Sequence, residues 1–171
     1  GVYLEASNPI FSNVVIIENG AEVSGGGITM SSSNPNFFHL TIADNLSSMN
    51  GGGISISSSN PMIVNSIFAN NIPESIFTFS GSPIITYSNI ESGWEGEGNI
   101  DANPLFTDFQ NGDYTLQEAS PCINAGTTIE DVENLGIPDM GAYEFIFWYA
   151  CISDSSACNY NPEGINDDGS C

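Results

Sequence analysis

Short stretches of alternating apolar and polar residues return along the chain at a fixed interval. Val2 and Leu4 flank Tyr3, Ile28 and Met30 flank Thr29, Ile54 and Ile56 flank Ser55, and Phe77 and Phe79 flank Thr78. Period two predicts strands with one buried face. Ser7-Asn8-Pro9 recurs as Ser33-Asn34-Pro35 and Ser59-Asn60-Pro61, each 26 residues on, and a weaker copy, Gly81-Ser82-Pro83, follows after 22. Gly25-Gly26-Gly27 returns as Gly51-Gly52-Gly53. After each proline the register holds. Phe11, Phe37, Ile63 and Ile85 form one apolar column, and Ile16, Ile42, Phe68 and Ile90 another.

Polar columns keep the same interval: Asn13, His39, Asn65 and Tyr87, then Asn19, Asn45 and Asn71. Asparagines stacked at turns can bond to one another and to the backbone, which satisfies buried polar groups from coil to coil. The glycines are expected at corners that need φ > 0. One such unit cannot bury its apolar face, but a stack of them can. The alternation and the Ser, Asn and Gly content exclude a helical repeat. The predicted fold is therefore all-β, a parallel β-helix: a solenoid of about four coils of 22–26 residues. Its coils would lie about 4.8 Å apart, with three short sheets per turn.

Charge narrows the function. The 171 residues carry 21 Asp and Glu, no Lys or Arg, and one histidine, His39. Average usage would give roughly 20 basic residues. Nucleic-acid binding, which rests on Lys and Arg neutralising phosphates, is excluded, as is adhesion to an anionic membrane surface. No run of about 18 apolar residues exists, so no membrane insertion by a helix is expected. A chain without Lys or Arg also offers no site to a trypsin-like protease. Its four cysteines suit an oxidising compartment.

Residues 1 to about 97 resemble the pectin-lyase-like right-handed β-helix superfamily, and the Gly-Gly-Gly-Ile units are similar to those of polymorphic outer-membrane-type surface proteins. The resemblance continues in Gly98-Asn99-Ile100-Asp101-Ala102-Asn103-Pro104-Leu105-Phe106, in Gly112-Asp113-Tyr114-Thr115-Leu116, in Ser120-Pro121-Cys122-Ile123-Asn124-Ala125-Gly126 and in Asp139-Met140-Gly141-Ala142-Tyr143-Glu144. These look like the closing segment of large secreted bacterial β-helix proteins. Three regions follow: coils over 1–97, an irregular C-terminal cap with an apolar closing strand over 98–149, and a small Cys-rich acidic module over 150–171. A cap is physically required because an open last coil exposes a sheet edge.

In the tail, Phe145, Ile146, Phe147, Trp148 and Tyr149 form an uncharged β-prone run, expected to pack on the last coil or on a partner. Cys151, Cys158 and Cys171 sit in a stretch similar to a short module found in tandem in large secreted bacterial surface proteins. With Cys122 three connectivities are possible; the expected pairs are Cys158–Cys171 within the tail and Cys122–Cys151 tying tail to cap. Zinc is disfavoured by the wide cysteine spacing. Asn159, Asn161, Glu163 and Gly164 fall at positions 1, 3, 5 and 6 of a calcium-loop pattern, which Ser170 breaks at position 12. Asp154, Asp167 and Asp168 are the further candidate ligands, and calcium is the only cofactor expected.

The lyases of this superfamily use Arg or Lys to grip uronate and to take a proton, and neither exists here. Its hydrolases need paired carboxylates. Glu95, Glu97 and Asp101 stand close together in sequence, but at the start of the cap, and His39 belongs to a column with Asn13 and Asn65. The hydroxyls of Thr29, Ser31, Ser55 and Ser57 form an outward row that could meet a sugar, although outward polar residues are ordinary on a half-buried strand. The expected function is a non-catalytic structural or adhesive segment of an extracellular or cell-surface protein. The alternative is the non-catalytic end of a polysaccharide-active β-helix or a carbohydrate-binding module. Expected partners are further coils of the same longer chain, or self-association into filaments with the 145–149 run as a plug, and surface glycans.

Overall fold

The computed structural model describes residues 1–129 and 136–146. Its first coil holds β1 (Val2–Glu5), β2 (Ile10–Ile17) and β3 (Gly20–Ala21). The second holds β4 (Ile28–Ser31), β5 (Asn36–Ala43) and β6 (Leu46–Ser47). The third holds β7 (Ile54–Ser57), β8 (Met62–Val64) and β9 (Ile67–Ala69), and the fourth β10 (Ile76–Thr78), β11 (Ile84–Thr86) and β12 (Asn89–Ile90). Every pairing between coils is parallel. One sheet runs β1-β4-β7-β10, a second β11-β8-β5-β9-β12 with β2 on β5, and a third β3-β6. The chain is an all-β parallel solenoid of about three turns from β1 to β10.

Both apolar columns stack as the sequence implies. Phe11 pairs with Phe37, Phe37 with Ile63 and Ile63 with Ile85; Ile16 pairs with Ile42, Ile42 with Phe68 and Phe68 with Ile90. All are buried except Phe11, which is half-buried on the first coil. The fourth coil departs from the expected alternation. Ile76, not Phe77, lies on Ile54, and Thr78, not Phe79, lies on Ile56. A parallel ladder keeps one register, so the offset of 22 that places Pro83 on Pro61 also governs the strand before it. A slip of one residue exchanges the faces. Phe79 is accordingly 78% exposed, and the Thr78 hydroxyl is buried without a hydrogen-bond partner among the described residues.

The corners are not left to glycine alone. Ala6, Ser32 and Ser58 form a column at φ 47–49°, Asn13, His39, Asn65 and Tyr87 one at 48–55°, and Glu18, Asp44 and Asn70 one at 55–56°. Left-handed backbone is uncommon outside glycine, so these columns mark where each coil bends. In β5 the bend at His39 breaks the alternation and lets Phe37, Leu40 and Ile42 all face the core. The role of Gly52 is different. A Cβ there would collide with the backbone of Ile72 in the next coil, so close packing of adjacent turns demands glycine.

After β12 the ladder continues: Ile90 N donates to Ile100 O at 2.9 Å, and Asn89 bridges Ile100 in parallel. Trp94 packs against the interior core. From Asn103 the chain turns along the flank of the stack, through a hairpin of β13 (Phe106–Asp108) and β14 (Asp113–Leu116). A second core forms there, with Phe106, Tyr114, Leu116, Cys122 and Met140 packed over Ala43, Ile67 and Ala69. The closing segment thus lies mainly along the side of the coils, where the outer face of β5 and β9 is itself apolar. No helix among the described residues is long and apolar enough to cross a membrane.

Candidate functional site

The features that organise this molecule are hydrogen-bonded ladders that run from coil to coil. Asn45 is the centre of one. Its Oδ1 accepts from Asn19 N at 3.0 Å and Asn19 Nδ2 at 3.1 Å. Its Nδ2 donates to Ile16 O at 2.9 Å, Ala43 O at 3.0 Å and Asn71 Oδ1 at 3.0 Å, and its N–H donates to Asn71 Oδ1 at 3.1 Å. Asn71 Nδ2 repeats the pattern on Ile42 O at 2.8 Å. Each side chain closes its own turn and binds the next.

Further ladders went unread in the sequence. Ser7 N donates to Ser33 Oγ and Ser33 N to Ser59 Oγ; Asn34 N donates to Asn8 Oδ1 and Asn60 N to Asn34 Oδ1. Leu40 N, Ser66 N and Ser88 N donate in turn to Ser66 Oγ, Ser88 Oγ and Asn99 Oδ1. The Ser-Asn-Pro repeat held the signal for the first two, since its interval is that of the coil. The third alternates Leu, Ser and Asn in one column, so no sequence identity marks it.

His39 sits beneath the flank segment, 4% exposed. Its Nε2 lies 3.2 Å from Asn65 Nδ2, which fixes Nε2 as acceptor, while Nδ1 is buried with no hydrogen-bond partner among the described residues. Asn13 stands exposed at the head of this column. Asn65 is gripped by the segment itself. Its Nδ2 donates to Thr127 O and its Oδ1 accepts from Thr127 N, both at 2.8 Å, and its carbonyl accepts from Gly141 N at 2.8 Å. Gly141, at φ 101°, lies so close that a Cβ would stand 2.7 Å from Ile67 Cδ1. Ala142 N donates to Thr41 Oγ1 at 3.0 Å, and buried Asp139 takes Asn124 N at 2.7 Å and Phe145 N at 2.5 Å.

Burial holds the His39 pKa below 6.5, against the nearby Asp139 carboxylate and the Asp139 and Gly141 backbone, which favour protonation. The unfolded chain therefore takes up its proton first as pH falls. This group's stabilisation is complete above pH 6.5 and is lost as pH drops toward the folded value. Glu144, raised above 4.5 by burial and by Asp139, works the other way and returns stability as pH approaches 4.5. Urea unfolding at pH 7.5 and 5.5 is expected to show a loss for the native chain that His39→Asn reduces. Asparagine occupies the same column at Asn13 and Asn65 and tolerates the left-handed bend. An unchanged pH slope in the variant would assign the loss to other groups.

Carboxylates line two recesses on the flank. One, of about 600 Å³, is bounded by Asn70, Glu91, Asp101, Asn103, Phe109 and Gln117 among others. The other, of about 400 Å³, shares Asn70 and Glu91 and adds Asp44 and Glu74. Several of these acids are already committed to structure: Glu91 accepts from Asn70 N, Glu74 from Gly51 N, and Asp44 from the buried Tyr114 hydroxyl at 2.8 Å. Desolvation, with Asp44 beside it, pushes the Tyr114 pKa far up, so the phenol remains a donor. Glu97 accepts from the Tyr87 hydroxyl at 2.8 Å. Among the described residues no three or more His, Cys, Asp or Glu side chains are grouped to hold a metal.

Cys122 is a fully buried thiol whose sulfur accepts from Asn89 Nδ2 at 3.2 Å, and burial raises its pKa. Its expected partner Cys151 lies outside the described residues, with Cys158, Cys171 and the calcium candidates Asp154, Asn159, Asn161, Glu163, Asp167 and Asp168. Of the apolar run, Phe145 packs against the flank core and Ile146 is exposed, while Phe147, Trp148 and Tyr149 lie outside the described residues. Comparison with family models, curated proteins and solved structures finds no match to the chain.

Proposed function

We propose that this chain is a non-catalytic structural or adhesive segment of an extracellular or cell-surface protein, a closing portion of a pectin-lyase-like β-helix. The observation that carries the reading is the solenoid itself. Its inward positions, its corners and the side chains of Asp44, Glu74, Glu91 and Asp139 are spent on coil-to-coil bonds and on seating the flank segment, and the chain has no Lys or Arg to grip an acidic polymer. Freedom from tryptic sites fits an exposed life. Disulfides among Cys122, Cys151, Cys158 and Cys171, and calcium held by residues 154–168, belong to the same reading. Melting curves in calcium, magnesium and chelator test the latter, with calcium expected to stabilise more than magnesium.

A second reading, a carbohydrate-binding surface, is favoured by the larger recess, whose lining includes the Asn70, Asn103 and Gln117 amides and the Phe109 ring. Amides and an aromatic ring in one recess suit an uncharged glycan. Incubation with neutral and acidic polysaccharides, followed by product analysis and retention on a glycan array, separates the readings. The structural reading expects neither new reducing ends nor unsaturated uronate. Selective retention supports the second reading, and turnover would overthrow both.

A further inference from the structure

The flank segment is fastened to the third coil at Asn65, and the one histidine of the chain touches the same side-chain amide. A carboxamide nitrogen carries two hydrogens, and both are engaged. One goes to Thr127 O at 2.8 Å and the other meets His39 Nε2 at 3.2 Å. Asn65 Oδ1 accepts from Thr127 N at 2.8 Å. This arrangement requires a bare Nε2, so the neutral ring carries its proton on Nδ1, which is buried without a hydrogen-bond partner among the described residues. A second proton, placed on Nε2, would point at an N–H. Turning the Asn65 amide over would offer Oδ1 to that proton, but it would also set Oδ1 against Thr127 O and Nδ2 against Thr127 N. The bonds to His39 and to Thr127 are compatible only while the ring is neutral.

We infer that His39, Asn65 and Thr127 form a proton-operated latch, in which protonation of His39 breaks the amide grip and lets the flank segment lift at Thr127 and Gly141 while the coils stay stacked. The ladders between coils do not pass through this amide; they run through Asn45, Asn71, Ser66 and Ser88. Burial keeps the seated ring's pKa below 6.5 and the released ring regains its ordinary value, so a fall in pH favours release. The groups around the ring set the window. On the flank segment, Asp139 draws a proton toward the ring. Glu144, bonded to Asp139 N, is raised above 4.5 and favours the seated form near that pH. The Cys122 thiol, raised by burial, stays protonated. On the coils, Asn13 and Asn65 do not titrate, and the Tyr87 hydroxyl is bonded to Glu97. Release uncovers Ile67 and Thr41, against which Gly141 is packed. The latch does not rest on either functional reading.

Amide hydrogen exchange on the full chain, read on peptic fragments and divided by the rate of the unfolded chain at the same pH, tests it. Protection over residues 123–129 and 136–142 is expected to fall by up to about tenfold between pH 7.5 and 5.5, because a released His39 with its ordinary pKa of 6.5 is about nine-tenths protonated at the lower pH. β5, β8 and β9 should keep their protection. His39→Asn should remove the pH dependence, and Glu144→Gln should leave it. The nitrogen NMR shifts of the single imidazole give a second readout on the unaltered chain: at pH 7.5 they should show Nδ1 protonated and Nε2 bare. A proton on Nε2 at that pH overturns the inference, whether or not His39→Asn folds. Protection that stays level overturns it too, as does a loss shared equally by the coil strands or one abolished by Glu144→Gln.

Discussion

Asn45→Ala is expected to destabilise the solenoid by about 3–5 kcal/mol, measured by urea unfolding at neutral pH. The side chain is 1% exposed and serves groups on three coils. Its removal orphans the Asn19 N–H, strips the side-chain donor from the Ile16 and Ala43 carbonyls, and takes the amide donor from Asn71 Oδ1. A buried polar group left unpaired costs about 1–3 kcal/mol, and relaxation or an entering water recovers part of the sum. Asn45→Asp is the informative companion. It keeps the acceptor toward Asn19, loses both donors, and buries a charge beside Asn71 Oδ1, so it should be at least as damaging as alanine at pH 7. A cost under about 1 kcal/mol for both would show that the ladder is decoration on a fold held by its apolar columns.

Ile42→Ala tests those columns. Ile42 is fully buried between Ile16 above and Phe68 below. Its neighbours are held by backbone ladders on both sides and cannot collapse far into the space. The expected cost is about 2–5 kcal/mol, or roughly 4–20 °C in midpoint for a chain of this size. Ile42→Val should cost about 0.5–1.5 kcal/mol. Equal effects from the two substitutions would contradict a tightly packed column.

How much of this was legible depends on which periodicity a residue obeys. The 26-residue interval placed Phe37 on Ile63 and Asn19 on Asn45 because identical or similar residues return at each turn. The shorter fourth coil was misread by one residue at Phe77 to Phe79, where aromatic residues on the outer face imitate an inward pair. The flank core lay hidden for a different reason. Its coil half is the unbroken run Leu40-Thr41-Ile42-Ala43 and its echo Ile67-Phe68-Ala69, and such runs mark a strand covered on both faces. Its other half comes from residues over 60 positions away, as with Tyr114 on Asp44 and Ala142 on Thr41, and no interval connects them. The bend columns were partly visible: Asn13 and Asn65 are residues that tolerate positive φ, whereas His39 and Tyr87 give no such sign.

The flank segment changes how the stack should come apart. A solenoid whose coils touch only their neighbours is close to a one-dimensional chain, and it can fray from an end one turn at a time. Here Ala142 holds the second coil at Thr41, Gly141 and Thr127 hold the third at Asn65, and Ala102 holds the fourth at Asn89. Releasing the fourth coil therefore strips the outer face of the second and third as well, exposing Ala43, Ile67 and Ala69 together. Such coupling between non-adjacent turns converts stepwise fraying into a single cooperative transition over the second to fourth coils.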